Sequence, residues 1–196
     1  MILISKAKCL LFSCFAITQL FVCAHAAESY RVELQTTMGV IELQLFEKKA
    51  PKTVKNFLDY VKSGYYDGMI FHRVVEGWII QGGGYDKDLN EYESHGTIRN
   101  EATNGVKNVR GTVAMARFWD PHSAETQFFI NLSDNPSFDH QSRTLREYGY
   151  CVFARVVKGM DIADAIGRVE TREITDFDAN VPVELVIITR ARVLAE

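Results

Sequence analysis

Residues 30–35 and 40–45 both alternate apolar and polar side chains at period two, and the intervening Thr36-Thr37-Met38-Gly39 ends on a glycine suited to a turn. The chain therefore opens on a β-hairpin. Six further stretches read as strands, at 70–75, 78–81, 111–116, 127–132, 150–156 and 183–193. Only two carry a helical stripe. From Pro51, suited to a first helical turn, Val54, Phe57, Leu58 and Val61 follow the i, i+3, i+4, i+7 pattern, and Gly64 can stop the helix in a left-handed cap. A shorter helix at 160–166 presents Met160, Ala163 and Ile166 on one side. Strands outnumber helices and do not alternate with them, which disfavours a doubly wound parallel sheet and favours a closed antiparallel barrel or sandwich, its ends covered by two helices.

The first 26 residues have a different character. Cationic Lys6 and Lys8 precede an apolar run from Cys9 to Val22, and Ala24-His25-Ala26 precedes Ala27, the three-part pattern of a cleavable export leader. A run of about 14 apolar residues is short of the roughly 20 that span a bilayer. Cleavage after Ala26 leaves one domain, residues 27–196, with 20 basic and 25 acidic side chains and a net charge of −5. Of the four cysteines at 9, 14, 23 and 151 only Cys151 remains, so no internal disulfide is possible and the fold rests on its core. The modest negative charge, without a run of Lys or Arg, argues against nucleic acid or an anionic membrane as the main partner. The expected location is the periplasm, with secretion as the alternative and no stable membrane insertion after cleavage.

Familiar reactive constellations are missing. His72, His95, His122 and His140 are too widely spaced for a zinc signature, with one another or with Cys151. Gly77 and Gly82 have the first spacing of a phosphate loop, but Gly83 and Gly84 stand where Lys and Ser or Thr are required. Gly82-Gly83-Gly84 is better read as a backbone crossing where a side chain would collide. No Gly-x-Ser-x-Gly occurs, and Cys151 sits in an apolar strand, where a thiol is packing. Asn131-Leu132-Ser133 matches a glycosylation acceptor in letters only.

What stands out is an arginine and a glutamine among large apolar residues, in Phe71-His72-Arg73-Val74-Val75-Glu76-Gly77-Trp78-Ile79-Ile80-Gln81-Gly82-Gly83. At period two, Phe71, Arg73 and Val75 share one face, and Ile79 and Gln81 share another. A guanidinium on an apolar face needs a partner or a ligand acceptor. From the strand alone, a salt bridge to one of the many acidic residues is the plainer reading. The loops at 82–110 and 117–125, polar and rich in glycine, are where binding is expected on such a scaffold.

The same stretch closely resembles the cyclophilin signature. A second block, Ala114-Met115-Ala116-Arg117 followed by Ser123-Ala124-x-Thr126-Gln127-Phe128-Phe129-Ile130-Asn131, resembles that family's other main motif, and 149–161, Gly-Tyr-Cys-Val-Phe-Ala-Arg-Val-Val-x-Gly-Met-Asp, looks like its C-terminal strand and turn. The likeness covers about residues 30–192. It implies a mainly β fold, a closed eight-stranded antiparallel barrel capped by two α-helices, and peptidyl-prolyl cis/trans isomerase activity on proline-containing polypeptides, here unfolded exported proteins, by a monomer without cofactor or metal. Carried over by position, Arg73 is the catalytic arginine and Gln81 a polar contact beside it. Trp78, Ile79, Phe129, Phe138 and Tyr150 would line the proline pocket, and Ala116, Arg117 and Gln127 the neighbouring peptide groove. Of Phe128 and Phe129, which alternate, the resemblance assigns Phe129 to the pocket.

Trp78 stands where the vertebrate cytosolic pattern has Phe, Ile79 where it has Met, and Tyr150 where it has His, the last a bacterial-type feature. Ser137 replaces the aromatic residue associated with cyclosporin binding. Two other readings predict different behaviour. A chaperone-like binder would grip proline segments without turnover, and a hydrolase using His72 or Cys151 would leave cleavage products or a covalent label.

Overall fold

The computed structural model describes residues 30–174 and 180–194. The expected leader, residues 1–26, lies outside them. Strand β1 (Arg31–Thr36) and β2 (Gly39–Leu45) form the expected hairpin, in register from Arg31 against Gln44 to Thr36 against Gly39. Helix α1 (Pro51–Lys62) follows and buries Val54, Phe57, Leu58 and Val61 together with Thr53 and Tyr60. Its first-turn amides find their acceptor far along the chain. The Glu101 carboxylate accepts from the Lys52 amide at 3.2 Å and from the amide and hydroxyl of Thr53 at 2.9 and 2.8 Å. Gly64, at φ +74°, ends the helix as its position predicts.

The remaining strands are β3 (Arg73–Val75), β4 (Ile79–Gly82), β5 (Thr112–Met115), β6 (Phe128–Asn131), β7 (Val152–Lys158), β8 (Thr171–Arg172), β9 (Val181–Pro182) and β10 (Ile188–Leu194). Eight of them form one antiparallel sheet, in the order β10-β1-β2-β7-β5-β6-β4-β3, while β8 and β9 pair separately. Helix α2 (Met160–Ile166) packs Ala163 and Ile166 into the core, with Met160 against its margin. No helix among the described residues is long and apolar enough to cross a membrane.

Three expectations need correction. The sheet is a curled, open half-barrel rather than one closed ladder. Its edge strands β3 and β10 share no ladder, and their flanks meet through three backbone bonds, Gly68 to Ile188, Phe71 to Val186 and Ile188 to Met69. With only three residues, β3 begins beyond that seam. The same late start breaks the shared face expected for Phe71 and Arg73. Residues 71–72 lie outside the strand, so Phe71 turns into the core beside the Phe128 ring, whereas Arg73 faces the opposite side. The final strand also starts later than expected, at Ile188, because the Val183 amide donates to the Glu170 carbonyl and the Val186 carbonyl accepts from the Phe71 amide, outside the β1–β10 ladder.

The triple glycine behaves as expected of a close crossing. A methyl at Gly82 would meet the Ile70 carbonyl at 3.0 Å, and one at Gly84 the Gln127 side chain at 2.6 Å. The main core gathers on one side of the sheet around Phe57, Tyr66, Phe128 and Phe153, whose rings contact at 5.0 to 5.7 Å. Ile79, Ala114, Phe129 and Val152 form a second, smaller cluster.

Candidate active site

Pairing between strands places this second cluster. Arg73 lies opposite Gln81 in the β3–β4 ladder, Gln81 opposite Phe129 between β4 and β6, Phe129 opposite Ala114 between β6 and β5, and Ala114 opposite Val152. Residues directly opposite in an antiparallel sheet share a face. A single row of cross-strand partners thus runs from a guanidinium through an amide to an aromatic ring and an apolar floor. Residues one step along each strand, Val74, Ile80, Phe128, Ile130 and Val113, point into the main core instead. The alternation resolves the Phe128/Phe129 pair: Phe128 packs the core and Phe129 lines the groove.

Above the row lies a groove of about 480 Å³. All ten residues singled out in the sequence line it: Arg73, Gln81 and Gln127 as its polar strip, Trp78, Ile79, Phe129, Phe138 and Tyr150 as its apolar part, and Ala116 and Arg117 along one wall. The Phe138 ring stands 5.3 Å from Trp78, 5.4 Å from Phe129 and 4.8 Å from Tyr150, and Phe129 and Tyr150 are 5.5 Å apart. Tilted and edge-on contacts at these distances hold rings firmly without closing the space between them.

Arg73 makes no ion pair among the described residues, so the salt-bridge reading is not what the structure holds. Its Nη1 donates to Gln81 Oε1 at 3.4 Å, and its guanidinium carbon sits 5.4 Å from the centre of the Trp78 ring. Gln81 Nε2 donates in turn to Gln127 Oε1 at 2.9 Å. Among the described residues the cation is held by neutral groups only, and it keeps most of its donor capacity beside apolar walls, where a hydrogen bond is stronger than in water.

Several supporting residues left no pattern in the sequence. A 3-10 turn, Pro136–Phe138, delivers the Phe138 ring. Behind it, buried Asn108 donates to the Phe138 carbonyl at 3.1 Å, and Asn135 donates to Asn131 Oδ1 at 2.7 Å and to the Trp78 carbonyl at 3.3 Å. Asn131 is fully buried, which removes the glycosylation reading. Arg117 was expected only as a groove residue. Its Nε donates to the Gly149 carbonyl at 3.1 Å and its Nη1 to the Phe118 carbonyl at 2.9 Å, while its guanidinium carbon lies 4.7 Å from the Tyr150 ring centre. His72 and Tyr85 also line the groove, in edge contact at 4.8 Å.

Cys151 lies outside the groove. It is buried, 3.5 Å from the Thr53 hydroxyl, and burial pushes its thiol up to about 11. A thiol in that state is a poor nucleophile near neutral pH. The arrangement offers one fixed cationic donor beside a tight apolar box, suited to recognising an apolar ring next to a polar bond.

Comparison with known proteins agrees. A family model described as cyclophilin type peptidyl-prolyl cis-trans isomerase/CLD matches residues 31–193. Peptidyl-prolyl cis-trans isomerase A of Dickeya dadantii is 46% identical over 169 residues, covering 86% of this chain and 87% of that protein. The B isomerase of Escherichia coli is 49% identical over 157 residues, 80% of this chain and 95% of its own length. The crystal structure of a Cryptosporidium parvum cyclophilin-type isomerase superposes with a TM-score of 0.69 at 24% identity, covering 86% of this chain and 99% of that one. The same protein has also been solved in the presence of the dipeptide Ala-Pro, and that structure superposes with a TM-score of 0.68 at 25% identity, covering 85% of this chain and 99% of that one.

Proposed function

The chain belongs to the cyclophilin-type peptidyl-prolyl cis-trans isomerases, and from this premise we propose that Arg73 is its catalytic donor and that its substrates are X-Pro bonds in unfolded exported proteins. The observation that carries the assignment is the cross-strand row, which sets a guanidinium with no ion pair among the described residues next to a cluster of apolar and aromatic side chains.

The chemistry requires no covalent step. An X-Pro amide resists rotation by roughly 18 to 20 kcal/mol because its nitrogen lone pair is delocalised. In the twisted state conjugation is lost and that nitrogen becomes a hydrogen-bond acceptor. With the proline ring against Phe129, Phe138 and Tyr150, Arg73 donates to the twisted bond more strongly than to either planar form. Gln81 fixes the guanidinium, and Gln127 fixes Gln81. Each 1.36 kcal/mol of such differential binding gives about a tenfold gain in rate. Trp78 covers the arginine, Ile79 closes the box from below, and Ala116 and Arg117 flank the bound peptide.

Residues 27–196 would act as the mature, monomeric domain, released by cleavage after Ala26 and working in the periplasm. Ser137, in the 3-10 turn that delivers Phe138, stands where the resemblance has the aromatic residue associated with cyclosporin, which speaks against tight cyclosporin binding. The decisive measurement is proline isomerisation by the mature protein in a protease-coupled peptide assay. Arg73→Ala and Arg73→Lys are expected to lower kcat/KM by about tenfold or more with an unchanged circular dichroism spectrum. Full activity in folded Arg73→Ala would remove the assignment. Acceleration at substoichiometric enzyme separates catalysis from mere binding.

A further inference from the structure

Next to the isomerase groove the chain displays apolar side chains that its own fold does not cover. Phe118 and Trp119 are 70% and 69% exposed, more than any other large apolar residue among those described, and Leu145 follows at 50%. Single exposed apolar residues are ordinary on a protein surface, but adjacent ones at the mouth of a binding site are not. Phe118 itself lines the groove.

Their position is fixed from beneath. One arginine, Arg117, reaches the carbonyls of Phe118 at 2.9 Å, Trp119 at 3.4 Å and Leu145 at 3.5 Å, and its Nε holds Gly149. It thus joins the loop after β5 to the loop before Tyr150, and brings three exposed apolar residues to one place. The loop is further tied within itself. The Phe118 amide donates to Ser123 Oγ at 2.9 Å, Ser123 Oγ donates to the Asp120 carbonyl at 2.6 Å, and the His122 amide donates to Asp120 Oδ1 at 2.7 Å. An ordered backbone that presents bare aromatic rings has already met the entropy cost of arranging them, which is what a preorganised contact surface requires.

We propose that Phe118, Trp119 and Leu145 form an apolar shelf that docks large apolar side chains of an unfolded polypeptide near the proline being isomerised. The occupant follows from continuity: a chain lying in the groove past Ala116 and Arg117 meets Phe118 next, and unfolded segments carry the apolar residues that a folded partner hides. Arg117 is then a positioning residue for the shelf as well as a groove wall. The inference rests on the isomerase reading of the groove and adds a preference to it.

The test compares two proline peptides of equal length, one with Leu and Phe near the proline and one with Ser and Gln in their place. Trp119→Ser is expected to raise KM for the apolar peptide by about fivefold with kcat unchanged, and to leave the polar peptide unaffected. The double variant with Phe118→Ser deepens the loss for the apolar peptide. Equal loss on both peptides, or loss on neither, overturns the shelf. Binding is read separately by fluorescence in a Trp78→Phe background, which leaves Trp119 as the single tryptophan of the chain. Addition of the apolar peptide should shift its emission to the blue and protect it from acrylamide. An unmoved spectrum counts against the proposal, and a shift in a protein without isomerase activity would separate failure of the catalytic reading from failure of the shelf.

Discussion

At the scale of single residues, the site depends on atoms that do no chemistry. Gly84 leaves room for the Gln127 side chain, which holds Gln81 and through it Arg73. Gly84→Ala puts a methyl where the Gln127 amide now lies, so the Gln81 contact breaks at a net cost of about 1 kcal/mol. The expected result is a roughly fivefold fall in kcat/KM with a nearly unchanged melting temperature. A larger loss in stability than in activity would place the damage in the core. Cys151 carries a second prediction. With its thiol buried and pushed up to about 11, a thiol reagent at pH 8 should label the folded protein far more slowly than the unfolded one. The inert character of Cys151 was legible in its apolar neighbours. The part played by Gly84 was not, because the residue it accommodates lies on another strand.

Elements show the same division between local and distant causes. The buried stripe and the ends of α1 could be read from Pro51, the apolar spacing and Gly64, all of which act within the helix. Its N-terminal acceptor could not. Glu101 is 48 residues from Thr53, and Ala50 offers no side chain of its own to cap the helix. Glu101→Ala should therefore cost about 1 to 2 kcal/mol in urea unfolding, in the range of a lost N-cap, although the residue belongs to no part of α1 and stands just before the 3-10 turn Ala102–Asn104. A loss below about 0.3 kcal/mol would mean that water replaces the carboxylate without penalty. Strand β3 shows how short range misleads. Its period-two pattern is real, but only Arg73–Val75 enter the ladder, so extending the pattern back to Phe71 gave that ring the wrong side.

For the whole molecule, charge sets how stability varies with pH. Asp164 is held below the usual carboxylate range first by its hydrogen bonds from Arg110, at 2.8 and 2.7 Å, and Glu33 likewise by Arg192 at 2.8 Å. Both groups bind protons more weakly when folded, so this stabilisation is complete above their unfolded values near ~4 and is lost as pH falls through the folded ones. Thermal unfolding should be nearly flat from about pH 8 to 5 and fall steeply below about 4. Asp164→Asn should flatten part of that fall and lower stability at neutral pH by about 0.5 to 1 kcal/mol, since the pair is partly exposed. The candidate site was legible because its residues recur in ordered blocks. The open seam between β3 and β10 was not, since sheet closure depends on distant pairing that strand patterns do not encode.

The alternation within β6 has a further consequence. Phe128 and Phe129 are neighbours on opposite sides of one strand, so only a single layer of backbone separates the core from the groove. A one-residue slip of β6 would exchange the two rings, leaving the groove without its aromatic wall and the core without its centre. No misregistered copy could be both stable and active. Mutational drift at these adjacent sites should therefore obey separate rules, with volume conserved at 128 and substrate fit at 129, and an assay of catalysis on a library at this pair doubles as a measure of correctly paired sheet.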